Sequence, residues 1–181
     1  MGNELVYRYD REAAFWAGNE YFYFDSKDIR VAASGVYRLE RSNLVNSVLF
    51  TNASRADNVY TYYPDINGDF LVTTLNGQQP RNEADYTWVH FSLEGKPSFW
   101  NKKVYVYGKF SNNQLNDSYL LTYDEKDGLF KGKVLLKQGF YNYKFATKSG
   151  NTIDFNEISG NFQQTENTYL VLVYYRAPSA L

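Results

Sequence analysis

Cysteine is absent from these 181 residues, and histidine occurs once, at His90. Thiolate zinc sites, cysteine nucleophiles, Cys/His dyads and paired-histidine metal sites are excluded together, because each needs a residue type that is missing or single. Neither sign of charge is in excess: 19 Lys and Arg stand against 20 Asp and Glu, a net charge of −1. Nucleic acid and anionic membranes are bound by clustered basic excess, so neither is an expected partner. Long apolar runs are lacking as well. The longest, 169–175, is far shorter than the roughly 20 residues of a membrane helix, and no membrane insertion is expected. The opening MGNELVYRYD has no basic segment followed by an apolar core and no small-residue cleavage site, so it does not read as a signal peptide. It enters a strand-like pattern at once, as an excised domain is expected to begin. Missing cysteine leaves the compartment open.

Aromatic residues are abundant: 18 Tyr, 13 Phe and 3 Trp. With valine and threonine they suit a pleated, half-buried surface, while alanine, leucine and glutamate at helical spacing are scarce. The chain reads as all-β. Strands are expected at 4–9, 20–24, 35–39, 46–50, 58–63, 69–74, 86–93, 103–110, 120–123, 129–136, 140–147 and 168–175, near the spacing of sandwiches and barrels. Asn67-Gly68 and Asp127-Gly128 each supply two residues for the positive-φ positions of a type I′ hairpin turn. One helical turn within 10–19, capped by Asp10 and Gly18, is the weaker reading of a segment with strand-like flanks.

A boundary is expected where EGKP, residues 94–97, interrupts the pattern with Gly and Pro. It divides the chain into two tandem β-sandwich-like modules, residues 3–94 and 97–176. Modules this small must bury most of their aromatics to be stable, so core is the default assignment for each ring. No repeat of 20 to 50 residues relates the halves.

Chemistry is sparse. Asp65-Ile66-Asn67-Gly68-Asp69 resembles the start of a calcium loop, but Thr74 stands where the bidentate Glu belongs, and a plain hairpin turn is favoured. His90 lies in a strand with Trp88 on its own face and Val89 and Phe91 on the other, a pattern more often structural than catalytic. Carboxylate pairs such as Asp25 with Asp28, or Asp124 with Glu125, sit in polar turns that explain them without a glycosidase cleft. Ser34, Ser54 and Ser159 lack a nucleophile elbow, and no glycine-rich phosphate loop is present. An enzyme is not expected, and neither is a cofactor or metal.

The second half, from VYVYGKFSNN through LLKQGFYNYKFA, is similar to the immunoglobulin-like, early-set modules of the starch-branching and glycogen-binding type. Gly108, Phe110 and Asn112 match part of a Gly-x-Phe-Asn-x-Trp strand end. Gly139, Tyr141, Tyr143, Lys144 and Phe145 match a Gly-x-Tyr-x-Tyr-Lys-Phe strand. Where those carbohydrate binders carry a sugar-stacking Trp this chain has Asn113 or Gln114, with Trp100 as the possible substitute. The resemblance implies a binding surface of Trp100, Phe110, Asn112, Asn113 and Tyr141, and a glycan as the alternative partner. A closer resemblance runs through NELVYRYDREAAFWAGNEYFYFD, ADYTWVHFSL, VYVYGKF, LLKQGFYNYKF and EISGNFQQTENTYLVLVYYR. These segments look like the DUF5103 family of the Bacteroidota, described as plug proteins of the type IX secretion system. That resemblance implies the C-terminal half of a periplasmic, outer-membrane-associated protein whose N-terminal domain lies outside this chain. Its implied role is to close a large outer-membrane barrel translocon as a monomer, by shape and hydrogen bonding. The 18 Tyr and 18 Asn suit such a surface, although core strands and turns account for most of them individually.

Overall fold

A computed structural model describes residues 14–176. Its elements are β1 (Phe22–Asp25), β2 (Val36–Arg41), β3 (Val45–Leu49), β4 (Phe70–Val72), α1 (Pro80–Glu83), β5 (Tyr86–Glu94), β6 (Lys103–Tyr107), β7 (Leu120–Asp124), β8 (Leu129–Lys137), β9 (Gly139–Ser149) and β10 (Thr152–Asp154). The expected all-β class holds. The strand expected at 4–9 and the first residues of the expected helical turn at 10–19 lie outside the described residues. From 14 to 19 there is no helix.

One hydrogen-bonded network runs in the order β1-β9-β6-β7-β8-β5-β3-β2, with β4 and β10 also on β9. It curls over itself like a sandwich that is nearly a closed barrel. Phe91 on β5 meets Phe24 on β1 at 5.9 Å and Tyr143 on β9 at 5.1 Å, both edge to face. The Asp25 N–H donates to the Ser34 carbonyl at 2.8 Å, drawing the free edge of β1 toward the start of β2. Gly35 permits that approach, since a Cβ there would meet the Tyr23 carbonyl and the Phe24 backbone.

β5 follows its sequence alternation: Thr87, Val89, Phe91 and Leu93 are buried, while Trp88, His90 and Ser92 lie on the other face and are partly exposed. β9 departs from alternation because both of its faces are covered. Tyr141, Tyr143 and Phe145 enter the core, and Asn142 and Lys144 lie beneath the 65–69 turn and Tyr21. The core cluster draws on Phe24, Val36, Leu49 and Phe91 before position 94 and on Val104, Phe130, Tyr143 and Ile158 after it. Nine register pairs join β5 to β8, and four join β1 to β9. Among the described residues, the segments before and after 94–97 share one sheet and one core cluster.

Two expected strands have no ladder partner among the described residues. Residues 58–63 have no ladder partner; Tyr60 is drawn away to the Glu20 carboxylate, to which its hydroxyl donates at 2.5 Å. Residues 168–175 also form no ladder with any of the described residues. At 67–68 both residues have positive φ, and the Asp69 N–H closes the turn on the Ile66 carbonyl at 3.1 Å. Between β7 and β8 only Gly128 has positive φ. A four-residue loop, closed by Gly128 N–H on the Asp124 carbonyl at 2.8 Å, replaces the expected type I′ turn at Asp127-Gly128.

Candidate functional site

The five residues assigned to a binding surface from the early-set pattern do not share one. Tyr141 is 2% exposed, sandwiched between Phe24 and Phe70 with ring centroids 5.1 and 5.4 Å away, and its hydroxyl donates to the Lys137 carbonyl at 2.7 Å. It is a core residue, and that corrects its assignment. Phe110 leaves the strand with the 3-10 turn at Lys109–Ser111 and tucks its ring edge against Tyr119 and Tyr141. Asn112 and Asn113 are exposed and take positive φ, so their first task is to reverse the chain after that turn. Trp100 is 54% exposed and leans on Tyr123 at 6.3 Å. β6, a five-residue strand spanning about 17 Å, lies between Trp100 and Phe110 in the chain.

The 65–69 turn also spends its oxygens internally. Asp65 accepts from the backbone N–H of Tyr21 and of Asn67, each at 2.7 Å. Asp69 accepts from the Phe70 N–H at 2.7 Å and pairs with Lys109. These contacts are those of a structural turn. Among the described residues no group of three or more His, Asp or Glu is placed to hold a metal ion. Asp25, Asp28 and Asp124 are each paired with a neighbouring cation, Lys27, Arg30 and Lys131 respectively.

Two concavities stand out. The larger, about 820 Å³, is a groove across β3, β5 and β8 on the face turned away from the core. Tyr37 and Phe50, 57% and 56% exposed, form an edge-to-face pair at one side. The polar lining is held in place by Arg38 on Glu40, by a 2.9 Å bond between the Thr51 and Ser92 hydroxyls, and by His90 Nε2 at 2.8 Å from Asn46 Oδ1. Burial, and after it the Lys133 cation, lowers the His90 pKa, which keeps its imidazole neutral near pH 7.

The smaller cavity, about 320 Å³, opens where β1 meets residues 50–63 and shares Phe50 with the groove. Its walls are Phe22, Tyr23, Phe50, Tyr63 and Tyr143, with Arg55 and Asn52 as the polar contribution. The Arg55 guanidinium carbon lies 3.8 Å from the Phe22 ring centroid, and one terminal nitrogen donates to the Glu20 carbonyl. Tyr21, which also lines this cavity, has Lys144 over its ring at 3.9 Å. Arg55, Tyr37, Phe50 and Lys144 are the residues that sequence reasoning missed as features of a site. Arg55 is hidden in a polar stretch, NASRADN, that reads as a turn, but Lys144 had a signal: a lone cation within GFYNYKFAT, otherwise rich in rings.

No family model matches the chain, and no curated protein matches it. Among solved structures, a hypothetical protein from Parabacteroides merdae ATCC 43184, determined by crystallography at 2.30 Å resolution, is similar with a TM-score of 0.79 and 32% identity. The similarity covers 83% of this chain and 38% of that one, so the chain spans well under half the length of the structure it resembles.

Proposed function

We propose that the chain is a non-enzymatic protein-binding part of a periplasmic plug, one that closes a large outer-membrane barrel of the type IX secretion pathway. The observation that carries the binding half of this reading is the segment 169–175, YLVLVYY. Its seven residues are 60 to 91% exposed, and none of the described residues pairs with them in a ladder. An uncharged run of β-branched and aromatic residues that none of the described residues pairs with is a sheet-forming surface able to take a partner. The plug half of the reading rests on the resemblance of separate segments, in order, to that family. Full-length protein used as bait in envelope extract of the source organism should recover a large outer-membrane barrel protein. Bait carrying Val171→Asp and Val173→Asp should recover less of it. If the full-length bait recovers no barrel protein, the reading fails.

Glycan recognition is the second reading, and one observation favours it: the groove over β3, β5 and β8 combines an exposed aromatic pair with ordered hydroxyl, amide and imidazole groups. Affinity electrophoresis against glycogen, starch and host glycans tests it. Retardation abolished by Tyr37→Ala would place the glycan in this groove, and retardation abolished by Trp100→Ala would place it on the early-set surface.

A further inference from the structure

The smaller cavity has a chemical bias that neither reading uses. Arg55 forms no ion pair within 4.0 Å among the described residues, although it is largely withdrawn from water. Among the described residues its Nε is buried without a hydrogen-bond partner, and one terminal nitrogen donates to the Glu20 carbonyl. Leaving a buried donor unmatched is unfavourable, the more so for a charged group. The fold carries that cost beside an open cavity of about 320 Å³.

The other polar groups have the same bias. Tyr143 donates its hydroxyl to Asn52 Oδ1 at 2.8 Å, and among the described residues the Asn52 Nδ2 hydrogens have no side-chain or backbone acceptor. Tyr63 adds a hydroxyl at the rim. The unspent hydrogen-bonding capacity is therefore mainly that of donors, with a cation among them, and the rest of the wall is ring surface. A partner that fits carries acceptors and a negative charge at one end and apolar surface behind it. A single arginine with planar donors matches a carboxylate better than a dianion, which needs more positive charge than one side chain supplies.

We propose that the cavity between β1 and residues 50–63 is a binding site for a carboxylate borne on an apolar or aromatic stem, with Arg55 as its anchor and Phe22, Phe50 and Tyr63 around the stem. Such a carboxylate comes from a small organic acid or from the C-terminus of a polypeptide ending in an aromatic residue. The site is independent of the plug reading.

The test is an NMR titration of the folded chain with 3-phenylpropionate, with its uncharged analogue 3-phenylpropionamide, and with N-acetyl-Gly-Gly-Phe bearing a free or an amidated C-terminus. The acids should shift the amides of Gly35, Asn52 and Arg55 and bind about tenfold more tightly than the matching amides. Arg55→Met, which keeps the stem over Phe22 and removes the charge, should abolish that preference. Phe50→Ala on the rim should weaken acid and amide alike. Binding by the small acid alone assigns the site to metabolite-sized ligands, and tighter binding by the free-carboxylate peptide assigns it to chain ends. Equal affinity for acid and amide, or no shift with any carboxylate at millimolar concentration, overturns the proposal. That comparison is made on the unaltered protein, so it decides the matter even if Arg55→Met does not fold.

Discussion

Lys144 keeps an ammonium group in a place that water barely reaches. Burial lowers its pKa to about 8, only partly opposed by the attraction of Asp65 and Glu20. The unfolded chain holds that proton up to about pH 10.4. Below pH 8 both states are protonated and the cost of the buried charge is fully present. Between pH 8 and the unfolded value the folded state binds fewer protons, so stability rises with pH, by up to roughly 3 kcal/mol in all. Tyr107, Tyr141 and Tyr143 act in the opposite sense. Burial raises their pKa values, so above about pH 10 the unfolded chain ionises first and stability falls. Urea denaturation at several pH values should show a maximum between about pH 9 and 10, and Lys144→Met should flatten the rising limb. Tyr141→Ala should cost on the order of 3 to 5 kcal/mol in the same assay, the loss expected of a fully buried aromatic. The motif that marked Tyr141 for binding was legible in the sequence. Its burial was not, because Phe24 and Phe70, which cover it, come from β1 and β4 at remote positions.

Among the elements, nine strands formed where alternation and aromatic content placed them, and β5 is the plainest instance. Residues 58–63 and 168–175 have the same local signature, yet local signature does not state whether a partner edge exists. Tyr60 shows how a side-chain bond to a remote carboxylate competes with a ladder; that bond pushes its hydroxyl pKa up to about 12. The 67–68 turn was legible because Asn-Gly has a specific backbone use, and the structure adds a constraint. Gly68 has a φ of +76°, and a Cβ there would press on the Tyr21 ring, 2.6 Å from the nearest ring carbons. Gly68→Ala should therefore cost more than the roughly 1 to 2 kcal/mol of left-handed backbone strain alone, read as a lower denaturation midpoint. The candidate sites were the least legible features. Arg55 and Asn52 lie in segments without regular structure, and the fold brings them to Phe22 and Tyr143 from distant parts of the chain.

For the molecule as a whole, the interruption at 94–97 suggests a border between modules, while the strands described on either side of it belong to one hydrogen-bonded sheet. Gly95 has a backbone use there: its N–H donates to the Gly128 carbonyl at 2.9 Å, and a Cβ on it would meet the Tyr123 ring. Residues 14–94 and 97–176 expressed separately should each lack a cooperative thermal transition and bind a hydrophobic dye, while the two together should recover one transition. Two independent transitions in the separate pieces would contradict the shared core. The near-zero net charge makes a further statement at this scale. Association through 169–175 should change little as salt is raised, in contrast to a carboxylate held by Arg55.

β9 has a consequence for how the fold opens. It is hydrogen-bonded to β1, β4, β6 and β10, and residues 141–147 are buried on both faces. No small fluctuation frees such a strand, since releasing it detaches four neighbours at once. In deuterated water its amides should therefore exchange only when the entire molecule unfolds. The slowest-exchanging amides of β9 would then measure global stability directly, without denaturant.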